Sequence, residues 1–285
     1  MSNNRKLPDS AGIGLKPIHY EDAMHCAEPG LWFEIHPENY MVAGGPRLSW
    51  LEAFAQKFPM SFHGVGLSLG GPDRPDPEHL KRLKRLTDQF DPVQVSEHLA
   101  WSRLGDTYFA DLLPPPVSAD ALDRVVAHID ETQEVLGRTL LIENPSLYLP
   151  LPGIEDLPEM YVEAAKRTGA GLLFDLNNII VCEANVDLSA EVWLDAVPGH
   201  LVGEIHIAGA TPRQIGDETI LIDSHDAPVG EPVWEMLARV RKLYGPKPVL
   251  IERDDNIPSF AELMAERNRA EQVLRQPERE MLHAG

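Results

Sequence analysis

Cysteine is scarce. Cys26 and Cys182 are the two in 285 residues, too few for a disulfide framework or a cysteine-based zinc site. They read as ordinary thiols of a reducing compartment. Long apolar runs are missing as well: none approaches the roughly 20 residues a membrane span needs, so a membrane-spanning helix is not expected. Met1 to Ser10 is polar and lacks the apolar stretch of a secretory signal, which makes the cytoplasm the expected location. Positive charge is also in short supply. Lys and Arg number 25 against 45 Asp and Glu, a formal net charge of −20. Such a surface repels nucleic acid and anionic membranes, and neither is expected as a partner.

Low-complexity stretches, short repeats and linkers that could mark a domain boundary are absent. The prolines fall mostly in connections, such as Pro114 to Pro116 and Pro150 to Pro158, where they stiffen loops. With 43% hydrophobic residues the chain can fill a large core. It reads as a single domain over 1–285, with a core from about 12 to 268, a short polar N-terminal segment and a helical C-terminal tail.

What is present is an alternation of short apolar runs with amphipathic helices. Eight strands are predicted: Gly12–Leu15, Trp32–His36, Met60–Val65, Val93–Leu99, Thr139–Asn144, Gly171–Asn177, Val202–Ala208 and Lys247–Asp254. Helix ends are marked between them. Ser118 reads as an N-cap with Gly137 as the stop. Asp76-Pro77 opens a helix, and Asp156 with Glu159 has the spacing of a capping box, closed by Gly169. Near-continuous apolar strands alternating with helices imply a parallel sheet covered on both faces. Eight such units in this length predict one (β/α)8 TIM barrel. A doubly wound sheet is the alternative, but no Gly-rich phosphate fingerprint follows the first strand.

Strand after strand ends in polar side chains able to bind a metal. The ends are Glu34-Ile35-His36, His63, Glu97-His98, Glu143-Asn144, Asp175 with Asn177 and Asn178, Glu204-Ile205-His206, and Glu252-Arg253-Asp254. Asp223 and His225 follow the seventh strand. A parallel barrel brings all these ends to one face. Residues two apart on a strand share a side, which groups Glu143 with Leu141, Asp175 with Leu173, His206 with Glu204 and Glu252 with Leu250. A lone histidine or glutamate at a strand end is usually a hydrogen-bonded rim residue; His19, His25, His79, His128, His200 and His283, in helices, loops or the tail, are read that way. A converging set is different, because buried carboxylates repel one another unless a cation neutralises them. Mixed imidazole and carboxylate donors suit iron, manganese or zinc, and there are too many for one ion. Spacing alone leaves hydrolytic, isomerising and oxidative chemistry open, and beside them a metal-binding scaffold without activity.

The segments that carry this pattern resemble the multinuclear non-heme iron-dependent oxidase family. They are Gly12 to Leu15, Glu34 to Tyr40, Ser61 to Ser68, Ser96 to Leu99, Ile142 to Asn144, Asp175 to Asn178, Glu204 to Gly209, Ile222 to Asp226 and Ile251 to Asp254. Nine such segments in order, spread from Gly12 to Asn268, make the resemblance specific. It implies the same barrel, with two or three irons at its mouth and dioxygen as co-substrate. Carried onto this chain, one iron falls to His63, His98 and Glu143. A second shares Glu143 and adds Asp175, His206 and Glu252; a third uses Asn178, Asp223 and His225. The implied catalytic residues are Glu143, Asp175, His206 and Glu252. The implied substrate is a ribosomally made precursor peptide, modified most often at cysteine and delivered by a partner protein. Glu38, Asn39, Arg253 and Asp254 are candidate contacts to substrate or ligand residues. One departure is Ala210, where the family often carries a histidine, which bears on the third ion.

Overall fold

A computed structural model describes residues 6–276; His283 and the first five residues lie outside them. The chain opens with β1 (Ala11–Gly14), α1 (Tyr20–His25), β2 (Phe33–Ile35), α2 (Pro46–Lys57), β3 (Met60–Gly64), α3 (Pro77–Phe90) and β4 (Gln94–His98). A hairpin of β5 (Trp101–Leu104) and β6 (Thr107–Leu113) precedes α4 (Ala119–Leu136), β7 (Leu141–Glu143), α5 (Leu157–Thr168) and β8 (Gly171–Asp175). Next come α6 (Leu176–Val186), α7 (Ala190–Ala196), β9 (Val202–Ile207) and a second hairpin, β10 (Thr211–Ile215) with β11 (Glu218–Ile222). The run finishes with α8 (Glu231–Tyr244), β12 (Val249–Ile251) and α9 (Phe260–Arg275). Eight of the strands close a parallel barrel in the order β1-β2-β3-β4-β7-β8-β9-β12, with β12 pairing back to β1. The fold is the expected (β/α)8 TIM barrel.

Each barrel strand coincides with an expected one, trimmed or shifted by one to three residues. The informative difference is at β8. The strand stops at Asp175, whose side chain accepts from the Asn178 N–H at 2.6 Å and caps α6. Asn177 and Asn178 therefore ride on the first turn of a helix, where the backbone turns them back toward the barrel mouth. Ser118 caps α4 and Asp76 caps α3 as expected. The capping box at Asp156 does not form: a short 3₁₀ turn, Ile154–Asp156, leads into α5, and Asp156 makes no side-chain cap bond.

Inside the barrel, large and small residues alternate in layers. Trp32, Leu250 and Leu7 pack as an apolar floor at the amino end. Small residues make the room: a Cβ on Gly12 would sit 2.4 Å from the Trp32 indole, and one on Gly171 2.4 Å from Leu141. Gly12→Ala is accordingly expected to cost about 1–3 kcal/mol through overpacking, read as a lowered thermal midpoint with metal content unchanged.

The two hairpins rise from the carboxyl end, after β4 and β9. Each turns on a Gly-Asp pair, Gly105-Asp106 and Gly216-Asp217, with the glycines at φ 56° and 62°, as two-residue hairpin loops require. No helix among the described residues is long and apolar enough to cross a membrane.

Candidate metal centre

The carboxyl ends of β3, β4, β7, β8, β9 and β12 aim their last inward side chains at one region. Glu143 lies at its middle. Its Oε2 is 3.1 Å from Nε2 of both His63 and His98, and its Oε1 is 3.7 Å from Nδ1 of His206. Those two Nε2 atoms are 3.4 Å apart. Nδ1 of His206 is also 3.2 Å from Glu252 Oε2. Glu143, Asp175, His206 and Glu252 each offer a donor atom within one cluster of 4.8 Å span. His225, on the loop after β11, reaches Asp223 at 2.7 Å, Asp254 at 2.9 Å and Glu252 at 3.7 Å.

The residues assigned by the resemblance to the first two ions thus come together as groups. Those assigned to the third stand beside them: Asn178, Asp223 and His225 line one cleft of about 450 Å³ with His98 and Glu252. In that cleft it is Asn177, not Asn178, that donates to Asp223, at 2.7 Å.

The electrostatics are those of a cluster short of positive charge. Burial opposes ionisation of Glu143, yet His98 and His63 hold it down to about 2. Burial opposes the charge of His63, but Glu143 and Glu34 raise it to about 9. His206 and His225 are likewise raised, against burial, by Glu252 with Glu34 and by Asp223 with Glu252. Asp175 finds no such relief: burial, then Glu143 and Asp223, push its carboxyl well above the usual range. His98 is the exception, lowered by burial that Glu143 only partly offsets.

Hydrogen bonding points the same way. Buried polar atoms in proteins are nearly always paired. Here Glu143 Oε2, Asp175 Oδ2, Asn178 Oδ1, both ring nitrogens of His206, His225 Nε2 and Glu252 Oε2 are buried without a hydrogen bond of acceptable geometry. The opposite sides of these groups are well held. His63 Nδ1 is 2.8 Å from Ser96 Oγ, and His98 Nδ1 is 2.9 Å from the Gly64 carbonyl. Asn144 clamps the Asp175 backbone, accepting from its N–H and donating to its carbonyl. Such a donor set, fixed from behind and unpaired in front, fits metal ions.

Of the other candidates, Glu38 accepts from the N–H groups of Val65 and Gly66, bracing the loop after β3. Arg253 pairs with Glu266 at 3.0 Å, and the Asn39 carbonyl takes the Arg47 guanidinium. Asp254 faces the site, joining His225, Lys16 and His36. Glu97 braces the loop after β3, one oxygen accepting from the Leu67 N–H and the other from the His98 N–H. Sequence reasoning noted Glu34 and Glu204 as strand ends but assigned them nothing; both face inward behind His206. The i, i+2 spacing of Glu204 and His206 carried the signal. It passed over Tyr148, whose hydroxyl accepts from the Asp223 N–H at 3.1 Å.

Neither cysteine belongs to the centre. Cys182 is fully buried on α6, and burial pushes its thiol up to about 12; Cys26 is half-buried. Titration of the native protein with a thiol reagent is expected to read Cys26 alone within minutes, and Cys182 after unfolding. Two fast thiols would contradict the packing of α6.

The comparisons with known proteins bear on the fold and the family. A UPF0276 protein of Caulobacter vibrioides is 56% identical over 270 residues, covering 94% of this chain and 96% of that protein. Another UPF0276 protein, from Bordetella bronchiseptica, is 45% identical over 265 residues, covering 92% of each. Among solved structures, a xylose isomerase-like TIM barrel protein from Mycobacterium smegmatis in complex with magnesium aligns with a TM-score of 0.57 at 14% identity, over 96% of this chain and 98% of the other. Endonuclease IV from Thermus thermophilus aligns with 0.56 at 15%, over 93% and 98%. These two likenesses show the fold alone. Residues 10–275 match the family described as RiPP precursor modification enzyme MbnB/TglH/ChrH, and the chain belongs to that family.

Proposed function

We propose that this chain is a multinuclear iron-dependent oxidase that uses dioxygen to modify a side chain, cysteine foremost, of a ribosomally synthesised precursor peptide. The observation that carries the reading is that six of the nine expected ligands, Glu143, Asp175, Asn178, His206, His225 and Glu252, keep a buried polar atom without a hydrogen bond, in a family of precursor-modifying enzymes. His63, His98 and Glu143 would hold one iron; Glu143, Asp175, His206 and Glu252 a second; Asn178, Asp223 and His225 a third. Bound there, iron supplies one-electron chemistry with dioxygen.

The protein's own part is positioning and exclusion. Glu143 offers its two oxygens to different imidazoles, and Glu252 stands between His206 and His225, so Glu143 would contribute to the first and second irons and Glu252 to the second. The cleft that would receive the peptide is lined by Phe109, Tyr148, His98 and Asp223. The apolar floor keeps water from approaching from below. A separate protein delivers the peptide, in the cytoplasm, and nucleic acid and membranes take no part.

The test is elemental analysis with Mössbauer spectroscopy on anaerobically purified protein. Two to three irons per chain, some antiferromagnetically coupled, are expected. Zinc or manganese alone, with no activity gained from ferrous iron and oxygen, would replace this reading with a hydrolase or isomerase on the same barrel.

A further inference from the structure

Four imidazoles face the centre, and three present it with one nitrogen while the other is held by a single acceptor. For His63 that acceptor is Ser96 Oγ at 2.8 Å, for His98 the Gly64 carbonyl at 2.9 Å, for His225 Asp254 Oδ2 at 2.9 Å. His206 differs. It is fully buried, turns Nδ1 toward Glu143 and Glu252, and sends Nε2 down into the barrel. There Glu34 Oε1 lies at 3.4 Å and Glu204 Oε1 at 3.6 Å. The other oxygens of this pair meet at one hydroxyl: Ser61 Oγ is 2.9 Å from Glu34 Oε2 and 3.2 Å from Glu204 Oε2. Strands β2, β3 and β9 thus each contribute one residue to a layer between the floor and the centre. All three are 3% exposed or less. Two carboxylates in a barrel interior are costly, and nothing about the closed barrel requires them, since Val or Leu would fill the layer.

We propose that Glu34 and Glu204, tied together by Ser61, are positioning residues for His206: their negative charge beside Nε2, at 3.4 and 3.6 Å, keeps the ring proton on that nitrogen, leaves Nδ1 free for a metal, and strengthens Nδ1 as a donor. The inference rests on the reading of His206 as a ligand. Carboxylate behind a ligating imidazole orients the ring and increases its basicity. It also favours the more highly charged metal state. A cation held directly by Glu34, Glu204 and His206 is the competing account of the same atoms. It would require His206 to ligate through both nitrogens at once, with no proton left on the ring.

The experiment compares the full-length protein with Glu204→Gln, Ser61→Ala and the double variant Glu34→Gln/Glu204→Gln, with His206→Ala as reference. Ferrous iron affinity is measured by chelator competition, and the reduction potential and Mössbauer parameters of the loaded protein are recorded. The double variant is expected to bind iron about 10–100-fold more weakly, with a raised potential and altered quadrupole splitting. Glu204→Gln and Ser61→Ala should move the same quantities less, and they carry the comparison if the double variant does not fold. Affinity, potential and splitting equal to wild type overturn the proposal. So does loss of one metal equivalent with the parameters of the remaining ions unchanged, which would place an ion between the carboxylates. Metal content unaffected by His206→Ala would instead sink the ligand assignment itself.

Discussion

Glu143→Gln is expected to strip the centre of iron and abolish peptide modification while leaving the barrel folded. A carboxamide has the size and shape of the carboxylate, so the strand and its neighbours have no reason to move. What it lacks is charge and a second ligating oxygen. Glu143 is the residue whose two oxygens face different imidazoles, Oε2 toward His63 and His98 and Oε1 toward His206. Losing it should weaken metal binding by more than the roughly 10–100-fold that follows loss of a partner behind a ligand. Iron content by elemental analysis, with circular dichroism as the control on folding, reads the outcome. Undiminished modification of the peptide would mean that the chain serves as a scaffold and that the chemistry belongs to another subunit.

Metal removal should have a large effect on stability, and a single substitution should partly reverse it. An ion present at 1,000 times its dissociation constant contributes about 4 kcal/mol to the folded state. At about 2–4 °C per kcal/mol for a large domain, chelation is expected to lower the midpoint by roughly 8–16 °C. The metal-free state is strained because the carboxylates face one another. Asp175 suffers most clearly: it is fully buried, its Oδ2 has no partner, and burial with Glu143 and Asp223 raises its carboxyl well above the ordinary range. A group whose pKa is raised by folding stabilises the native state in acid, and that stability is lost as pH rises through the raised value. Asp175→Asn removes that loss. Asparagine also caps a helix as well as aspartate does, so the bond to the Asn178 N–H is kept. Metal-free Asp175→Asn should melt above metal-free wild type at neutral pH, with the advantage fading in acid, yet gain less on addition of iron. A lower midpoint than wild type in the metal-free state would show that Asp175 is already compensated.

Much of the barrel was legible because its signals are local. Eight apolar runs, separated by helices with caps such as Ser118 and Asp76, set the strand count, and period-two alternation grouped Glu143 with Leu141, His206 with Glu204 and Glu252 with Leu250. The two hairpins were not anticipated, although Gly105-Asp106 and Gly216-Asp217 carry the turn chemistry for them. Their strands are mostly exposed, so they lack the apolar alternation that reveals a half-buried strand. The grouping of ligands followed from the resemblance. The His206 arrangement did not, because which ring nitrogen faces which carboxylate depends on side-chain rotation across three strands. The capping box at Asp156 failed for a related reason: its spacing was right, but a 3₁₀ turn entering α5 takes the chain out of the geometry that the box needs.

The floor of Trp32, Leu250 and Leu7 has a consequence for how freely this protein can change. Trp32 and Leu250 precede Glu34 and Glu252 by two residues, and Leu250 pairs with His206 across the sheet; neighbours this close couple instead of combining additively. Repacking the floor is therefore felt at the mouth: a change of volume at Leu250 or Trp32 shifts the strands that carry Glu252 and Glu34. Relatives that act on dissimilar substrates are expected to keep the floor and to vary the hairpins and the cleft walls.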